Sequence, residues 1–331
     1  MGKILTISVA AYNVEKYLDN LCQSIINSKK LEEIEVLIVD DGSKDKTGEI
    51  AKRYVASFPQ SFVYIQKENG GHGSTINTGI KNASGKYFKV LDGDDWMDSK
   101  GLANLINELI GLECDAVITN RKSIYENTDK VVIDKTRGFT PGVIEELDEV
   151  CPHIGRLFFH SIYFKTEILR ENHILIDENS FYVDNEILWF PFPFIQTICY
   201  LDIDVYCYRL GLADQSVNVK VITRRKDEHE RISKKMIDFF SSTRVNLSQN
   251  KREYLSKVIA DNISWHFDVL LLCPISRSIF SELISYRKYV LSKFPDVMKY
   301  TNNNTMKFLI KNPYLFYLPT WIKKWRIRKT K

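Results

Sequence analysis

Ile34-Glu35-Val36-Leu37-Ile38-Val39-Asp40-Asp41-Gly42-Ser43 is an apolar, β-branched run that stops abruptly on two acids and a turn. Such a run reads as a strand covered on both faces, and Asp-Gly-Ser after it as the turn and cap that open a helix. The same unit recurs on both sides. Strands are expected at Ile4–Ala11, Phe62–Gln66, Tyr87–Leu91 and Ala116–Thr119, with helices at Val14–Ser28, Thr47–Phe58, Ser74–Asn82 and Lys100–Leu112 between them. In the first helix Leu18, Leu21, Ile25 and Ile26 recur at helical spacing, as a face packed on a sheet requires. This alternation predicts an α/β fold with a mostly parallel sheet flanked by helices. In such sheets ligands bind beyond the carboxyl ends of the strands.

Polar clusters stand at those ends: Tyr12-Asn13, Asp40-Asp41-Gly42-Ser43 and Asp92-Gly93-Asp94-Asp95. Any one of them is an ordinary turn, but three at three strand ends point to one shared crevice. The last is the most informative. Acids crowded at the end of an apolar strand repel one another and are costly to bury. They make best sense around a divalent cation, Mn²⁺ or Mg²⁺, with phosphate oxygens completing the shell. An EF-hand is excluded, because its twelfth position would be Ala103. A haloacid-dehalogenase phosphatase fits poorly, since the Thr it needs does not follow.

Ser8-Val9-x-x-Tyr12-Asn13, Val39-Asp40-Asp41-Gly42-Ser43-x-Asp45, Asn69-x-Gly71 with Asn77-x-Gly79, and Asp92-x-Asp94-Asp95 resemble the successive signatures of GT-A fold, family 2 glycosyltransferases. The match covers roughly the first 100 residues in the family's order and spacing. It implies a Rossmann-like sheet and transfer of a sugar from a nucleotide diphosphate sugar, taken as a UDP-sugar, with inversion. By the same resemblance Asp40 or Asp41 would hold uracil and ribose, Asp92 the ribose or metal, and Asp94 the metal. Ala11, Tyr12, Asn13, Glu15, Asn69, Gly71, His72, Asn77 and Gly93 would line the donor. Two positions depart from the family: Ala10 stands where Pro is usual, and Thr75-Ile76-Asn77 lacks the Arg of an Ala-Arg-Asn triplet. The glycine-rich turn Gly70–Ser74 entering a helix offers N–H donors to an anion in partial compensation.

Residues 1–120 are therefore expected as the nucleotide-sugar half, 121–220 as the acceptor half and 221–331 as a helical region. Ile124–Ile133 reads as a hairpin. In Tyr182-Val183-Asp184-Asn185-Glu186 the resemblance makes Asp184 the general base, with Glu186 as fallback. A plain reading is a first helical turn rich in acids. Arg209 and Gln215-Ser216 are expected near the donor diphosphate or the acceptor, a saccharide or lipid-linked group. His160 is weighed as a further metal ligand and His153 lies nearby; a buried, hydrogen-bonded His is the commoner case. Beyond 222, Ile232, Met236, Phe239 and Phe240, then Leu255, Val258, Ile259, Ile263, Phe267 and Leu270, form core stripes.

Composition bounds the rest. With 46 Lys+Arg against 42 Asp+Glu the formal charge is +4, too balanced for a dedicated nucleic-acid binder. Residues 311–331 carry seven of those basic side chains and no acid, so the remainder is net negative. This tail, rich in aromatics, suits an anionic membrane surface. Six scattered cysteines read as reduced thiols. No segment offers about 20 unbroken apolar residues, and Ile187–Leu201 is interrupted by Pro191, Pro193 and Gln196. Met1–Thr6 fits a myristoylation pattern but is needed as strand. The expectation is a cytoplasmic enzyme, peripheral on the inner face of the membrane, with homo-oligomers open. A sugar-nucleotidyltransferase is the rival enzyme, although Ala11–Leu18 lacks the Gly-rich loop it needs; a non-catalytic donor-binding protein is the other alternative.

Overall fold

The structure, a computed structural model, describes residues 2–126, 128, 130–211 and 219–319. The chain divides into two compact units, residues 1–212 and 213–331. In the first, the strands are β1 (Leu5–Ala11), β2 (Ile34–Asp40), β3 (Phe62–Gln66), β4 (Tyr87–Asp92), β5 (Trp96–Met97), β6 (Ala116–Tyr125), β7 (Val131–Asp134), β8 (Ile144–Glu146), β9 (Ile162–Lys165) and β10 (Thr197–Leu210). The helices are α1 (Leu18–Ile26), α2 (Thr47–Ser57), α3 (His72–Asn82), α4 (Ser99–Gly111), α5 (Leu147–Val150), α6 (Thr166–Glu171) and α7 (Asp184–Trp189).

The sheet runs β3-β2-β1-β4-β9-β6-β10-β5. The β3-β2-β1-β4 half is wholly parallel, as the strand–helix alternation requires. β9 then enters antiparallel between β4 and β6, and β10 returns parallel to β6. Strand β1 is central, with Leu5, Ile7, Val9 and Ala11 fully buried and Thr6 and Ser8 buried on the other face. Leu18, Leu21, Cys22 and Ile25 of α1 pack into the same core.

Register aligns the functional ends. Ala11 of β1 pairs with Asp40 of β2, and Ala10 with Asp92 of β4. One strand separates the two acids, so their backbones lie roughly 10 Å apart on one edge of the sheet. Helix α1 begins at Leu18, later than its apolar pattern suggested, because residues 14 and 15 are tied to the loop after β2. There Val14 N–H donates to Thr47 Oγ1 (2.8 Å) and Glu15 N–H to Asp45 Oδ2 (3.1 Å). β6 and β7 form the hairpin expected around 124–133.

The second unit contains α8 (Val219–Arg224), α9 (Lys226–Thr243), α10 (Gln249–Leu272), α11 (Arg277–Lys293) and α12 (Asn304–Lys311). Ser248, Ser276 and Asn303 cap the last three through side-chain oxygens. Ile232, Met236 and Phe240 of α9 are buried, as are Leu255, Ile259, Ile263, Phe267 and Leu270 of α10; Ile237 is buried too, where Phe239 is only partly covered. Among the described residues no helix is long and apolar enough to cross a membrane.

Candidate active site

Two loops are zipped together at the carboxyl ends of β1 and β2. Asn13, at φ 54°, donates its N–H to Ser43 Oγ (3.0 Å) and accepts from Lys44 N–H (2.8 Å). Glu15 accepts from Lys46 N–H (2.9 Å). Asp40 accepts from Tyr64 Oη (2.7 Å) and Ser43 N–H (2.8 Å). Asp41 accepts from Lys67 Nζ (2.9 Å), Gly70 N–H (2.9 Å), Gly71 N–H (2.8 Å) and Ser74 Oγ (3.2 Å). Both carboxylates are buried; Asp41 binds the glycine-rich turn to the sheet, while Asp40 ties its own turn to Tyr64 of β3. Beside them opens a cleft of about 490 Å³ lined by Tyr12, Gly42, Lys44, Gln66, Lys67, Glu68 and Asn69.

The acids after β4 divide by environment. Asp95 is fully satisfied: Tyr206 Oη donates to Oδ2 and Arg209 N–H to Oδ1, each at 2.7 Å, so it ties the strand end to β10. Burial pushes Asp94 up to about 6, and the charge of Asp92 pushes the same way against Arg209 and His72. Burial also acts on Asp92, but the adjoining His72 holds its carboxyl below the usual range. Gly93 has no room for a side chain, since a Cβ would stand 2.7 Å from the Ala10 carbonyl oxygen. Arg209 donates from Nε to the Asp94 carbonyl (2.8 Å), pairs with Glu126, and lies over the Tyr17 and Trp96 rings.

Asp92, Asp95 and His160 bring ligand atoms within 4.8 Å of one another. His160 is buried against Phe159, Tyr206 and Tyr208. Its Nδ1 lies 3.1 Å from Arg121 Nη1. A guanidinium only donates, so Nδ1 accepts and the ring proton sits on Nε2. In this arrangement the imidazole is a neutral donor, and burial holds its pKa well below the ordinary value. It serves as a metal ligand only by giving up the Arg121 bond.

His72 opens α3 directly after Gly71 (φ 80°). Its Nε2 stands 3.2 Å from Asp92 Oδ1, close but out of line for a hydrogen bond. Burial works against the imidazolium, yet Asp92, Asp184 and Asp94 together raise its pKa. Asp184, the first residue of α7, feels the same neighbours: burial raises it, His72 lowers it and Asp92 raises it. The structure thus brings His72, Asp92, Asp94 and Asp184 together.

The segment before α7 is locked onto the glycine turn. Asn77 both donates to and accepts from the backbone of Ile176, each at 2.9 Å. Asp177 N–H donates to Glu186 Oε2 (2.7 Å), and Asn179 N–H donates to Gly70 O (2.5 Å). A Cβ on Gly73 would lie 1.9 Å from the Asp177 carbonyl oxygen. Glu186 is fully buried in this lock. Gln215 and Ser216 lie outside the described residues, as does the tail from 320. Sequence reasoning missed Lys67, Tyr64 and Lys89. Lys67 directly follows an expected strand and so faces the crevice, which was a usable signal. Lys89 is buried within β4, donating to Phe159 O (2.7 Å), and burial pulls its pKa far down.

A Rossmann-like sheet with acids gathered at its carboxyl edge beside such a cleft is the GT-A arrangement. The family described as glycosyl transferase family 2 matches residues 6–172, about half of the chain, and the chain belongs to that family. S. aureus TarS 1–349, in complex with UDP and with UDP-GlcNAc, shares the fold at TM-score 0.69 and 16% and 17% identity, covering 96% of this chain and 89% of that one. Glycosyltransferase GlyA of Streptococcus pneumoniae serotype 4 is 35% identical over 123 residues, 37% of this chain and 17% of that protein. The minor teichoic acid biosynthesis protein GgaB of Bacillus subtilis is 41% identical over 97 residues, 29% of this chain and 11% of that protein. Uncharacterized glycosyltransferase EpsJ of B. subtilis is 29% identical over 216 residues, 63% of this chain and 62% of that one. The chain spans less than two thirds of each of these three relatives.

Proposed function

We propose that the protein transfers a sugar from a UDP-sugar, with inversion, to a hydroxyl of a glycan or lipid-linked acceptor in cell-wall or surface-polysaccharide assembly. The observation that carries this reading is the meeting of Asp184, His72, Asp92 and Asp94 at the sheet edge that also bears the cleft. Tyr12, half exposed in the cleft wall, offers a ring face to a nucleobase. The names and bound nucleotides of the relatives support a UDP-sugar donor and a wall-glycan setting. Six buried cysteines, none of them in a disulfide, support a reducing, cytoplasmic compartment.

The chemistry is one displacement. Asp184 takes the proton of the acceptor hydroxyl, whose oxygen attacks the anomeric carbon as the bond to the nucleotide diphosphate breaks. Burial raises Asp184 and so makes it a better proton acceptor than an ordinary carboxylate. His72, whose pKa is raised by Asp92, Asp184 and Asp94 against burial, is the turn's side chain that would face the departing diphosphate in place of the missing triplet Arg. The Asp92–Asp94 pair fits a hard divalent cation: the raised Asp94 marks negative charge that its surroundings do not offset. When bound there, Mn²⁺ or Mg²⁺ would supply Lewis-acid stabilisation of the leaving group.

The test is UDP release from a panel of UDP-sugars, with Mn²⁺, with Mg²⁺ and with chelator. Release that needs the metal and stops in Asp184→Asn is expected. Donor binding without release would make this a non-catalytic nucleotide-sugar binder.

A further inference from the structure

The reaction makes no use of the segment that closes the helical unit. After α12, Pro313 and Phe316 turn inward and are buried, and Phe316 stacks on Phe280 of α11 with ring centroids 5.2 Å apart. Their neighbours turn outward. Tyr314 is 75% exposed, Tyr317 and Leu318 46% each, and Leu315 37%. These positions follow the i, i+1, i+3, i+4 spacing of one helical face, complementary to the two anchors. Isolated exposed apolar residues need no explanation, whereas a contiguous apolar face marks an interaction surface.

The adjoining sequence identifies the occupant of this face. Residues 320–331 contain Lys323, Lys324, Arg326, Arg328, Lys329 and Lys331 and no acid, interleaved with Trp321, Ile322, Trp325 and Ile327. We propose that the Tyr314–Leu318 face and this basic segment together dock on an anionic lipid bilayer. Tyr, Trp and Leu side chains suit the headgroup boundary, and the cations suit its negative surface potential. A second copy of the chain is a poor occupant, because it would set two strongly basic segments against each other. The surface would hold the enzyme at the membrane without any spanning helix.

Co-sedimentation of the full chain with phosphatidylcholine vesicles, with and without phosphatidylglycerol, tests this apart from turnover. Binding is expected only with the anionic lipid and should fall as salt is raised. Each cation in the headgroup layer is worth about fivefold in binding, so Lys323→Glu with Lys324→Glu should weaken it roughly 25-fold or more. Tyr314→Ser with Leu318→Ser should also weaken it while leaving UDP release with a soluble acceptor unchanged. Equal binding to neutral vesicles, no binding to anionic ones, or binding untouched by both double variants would overturn the proposal.

Discussion

Replacing Asp94 by Asn is expected to make the metal-free protein more stable at neutral pH while stripping it of metal-dependent turnover. Burial and the Asp92 charge push this carboxyl from 3.8 to about 6. Each unit of separation between folded and unfolded values is about 1.4 kcal/mol, so the ionised form costs the fold up to about 3 kcal/mol. Solvent at its partly exposed edge reduces this, and about 1–2 kcal/mol is the realistic gain on removing the charge. The sign comes from linkage. A carboxyl raised in the folded state contributes stability that is fully present below the unfolded pKa and is lost as pH rises through the folded one. The variant's advantage should therefore be greatest above pH 6, shrink as pH falls through about 6, and vanish below about 4. Urea unfolding of both proteins across that range, with chelator present, reads the difference directly, and UDP-release assays with Mn²⁺ read the loss. A variant less stable than the parent at neutral pH, or a gap that ignores pH, would refute the reasoning.

The same geometry sets four further outcomes. Asp184→Asn should lower transfer by about 10²–10⁴-fold while UDP affinity, measured by calorimetry, stays put. Parental transfer would reassign the base. Because burial raises Asp184, the acidic limb of the kcat profile should lie above the ordinary carboxylate range; a limb at an ordinary Asp value would count against it. Gly73→Ala drives a methyl into the Asp177 carbonyl, and overpacking of about 1–3 kcal/mol should appear as a lower Tm, with transfer hit harder than UDP binding. Asn77→Ala removes two hydrogen bonds to Ile176, worth about 2 kcal/mol together in urea unfolding; an unchanged midpoint would show that the 176–180 segment is held elsewhere.

How far the sequence was legible depends on the range of the interactions involved. Strands β1 to β4 and their helices were readable because each is a local hydrophobic pattern closed by its own turn. The entry of β9 between β4 and β6 was not. Ile162–Lys165 is too short to declare itself, and its pairing with Tyr87–Phe88 is decided across the whole unit. The start of α1 was misplaced because the apolar period continues through Val14, while the bonds that stop it come from Asp45 and Thr47. The site shows the same division. An acid after a strand can be picked out as a candidate ligand, but its spare hydrogen-bonding capacity cannot. Asp41 is spent on Lys67 and a glycine turn about 30 residues downstream, and Glu186 on the backbone of Asp177.

That capacity sorts the many acids of this crevice into two kinds. Asp40, Asp41, Asp45 and Asp95 each accept hydrogen bonds at both oxygens, at least one of them from a neighbouring element, which rigidifies the loops. Burial and the charges of Asp92 and Asp94 still hold Asp95 well above the usual range. Asp94 and Asp184 are raised chiefly by burial, take backbone N–H groups from their own turns, and feel the charges of His72 and Asp92, with Arg209 also acting on Asp94. Carboxylates cross-linked to other elements fix the frame; the raised Asp94 and Asp184, for which the described residues show no such cross-link, can exchange a proton or accept a cation. A framework built from the first kind keeps the second kind close together despite their repulsion. His72 is the link between them, since its turn is pinned by Asp41 while its ring faces Asp92 and Asp184. Loss of the Asp41 carboxylate should therefore reach the reacting acids through His72. In Asp41→Asn, where the Gly70–Ser74 turn loses charge-assisted bonds, the acidic limb of the kcat profile should move even though residue 41 touches neither Asp94 nor Asp184. An unmoved limb with intact folding would mean that the turn keeps its place without Asp41.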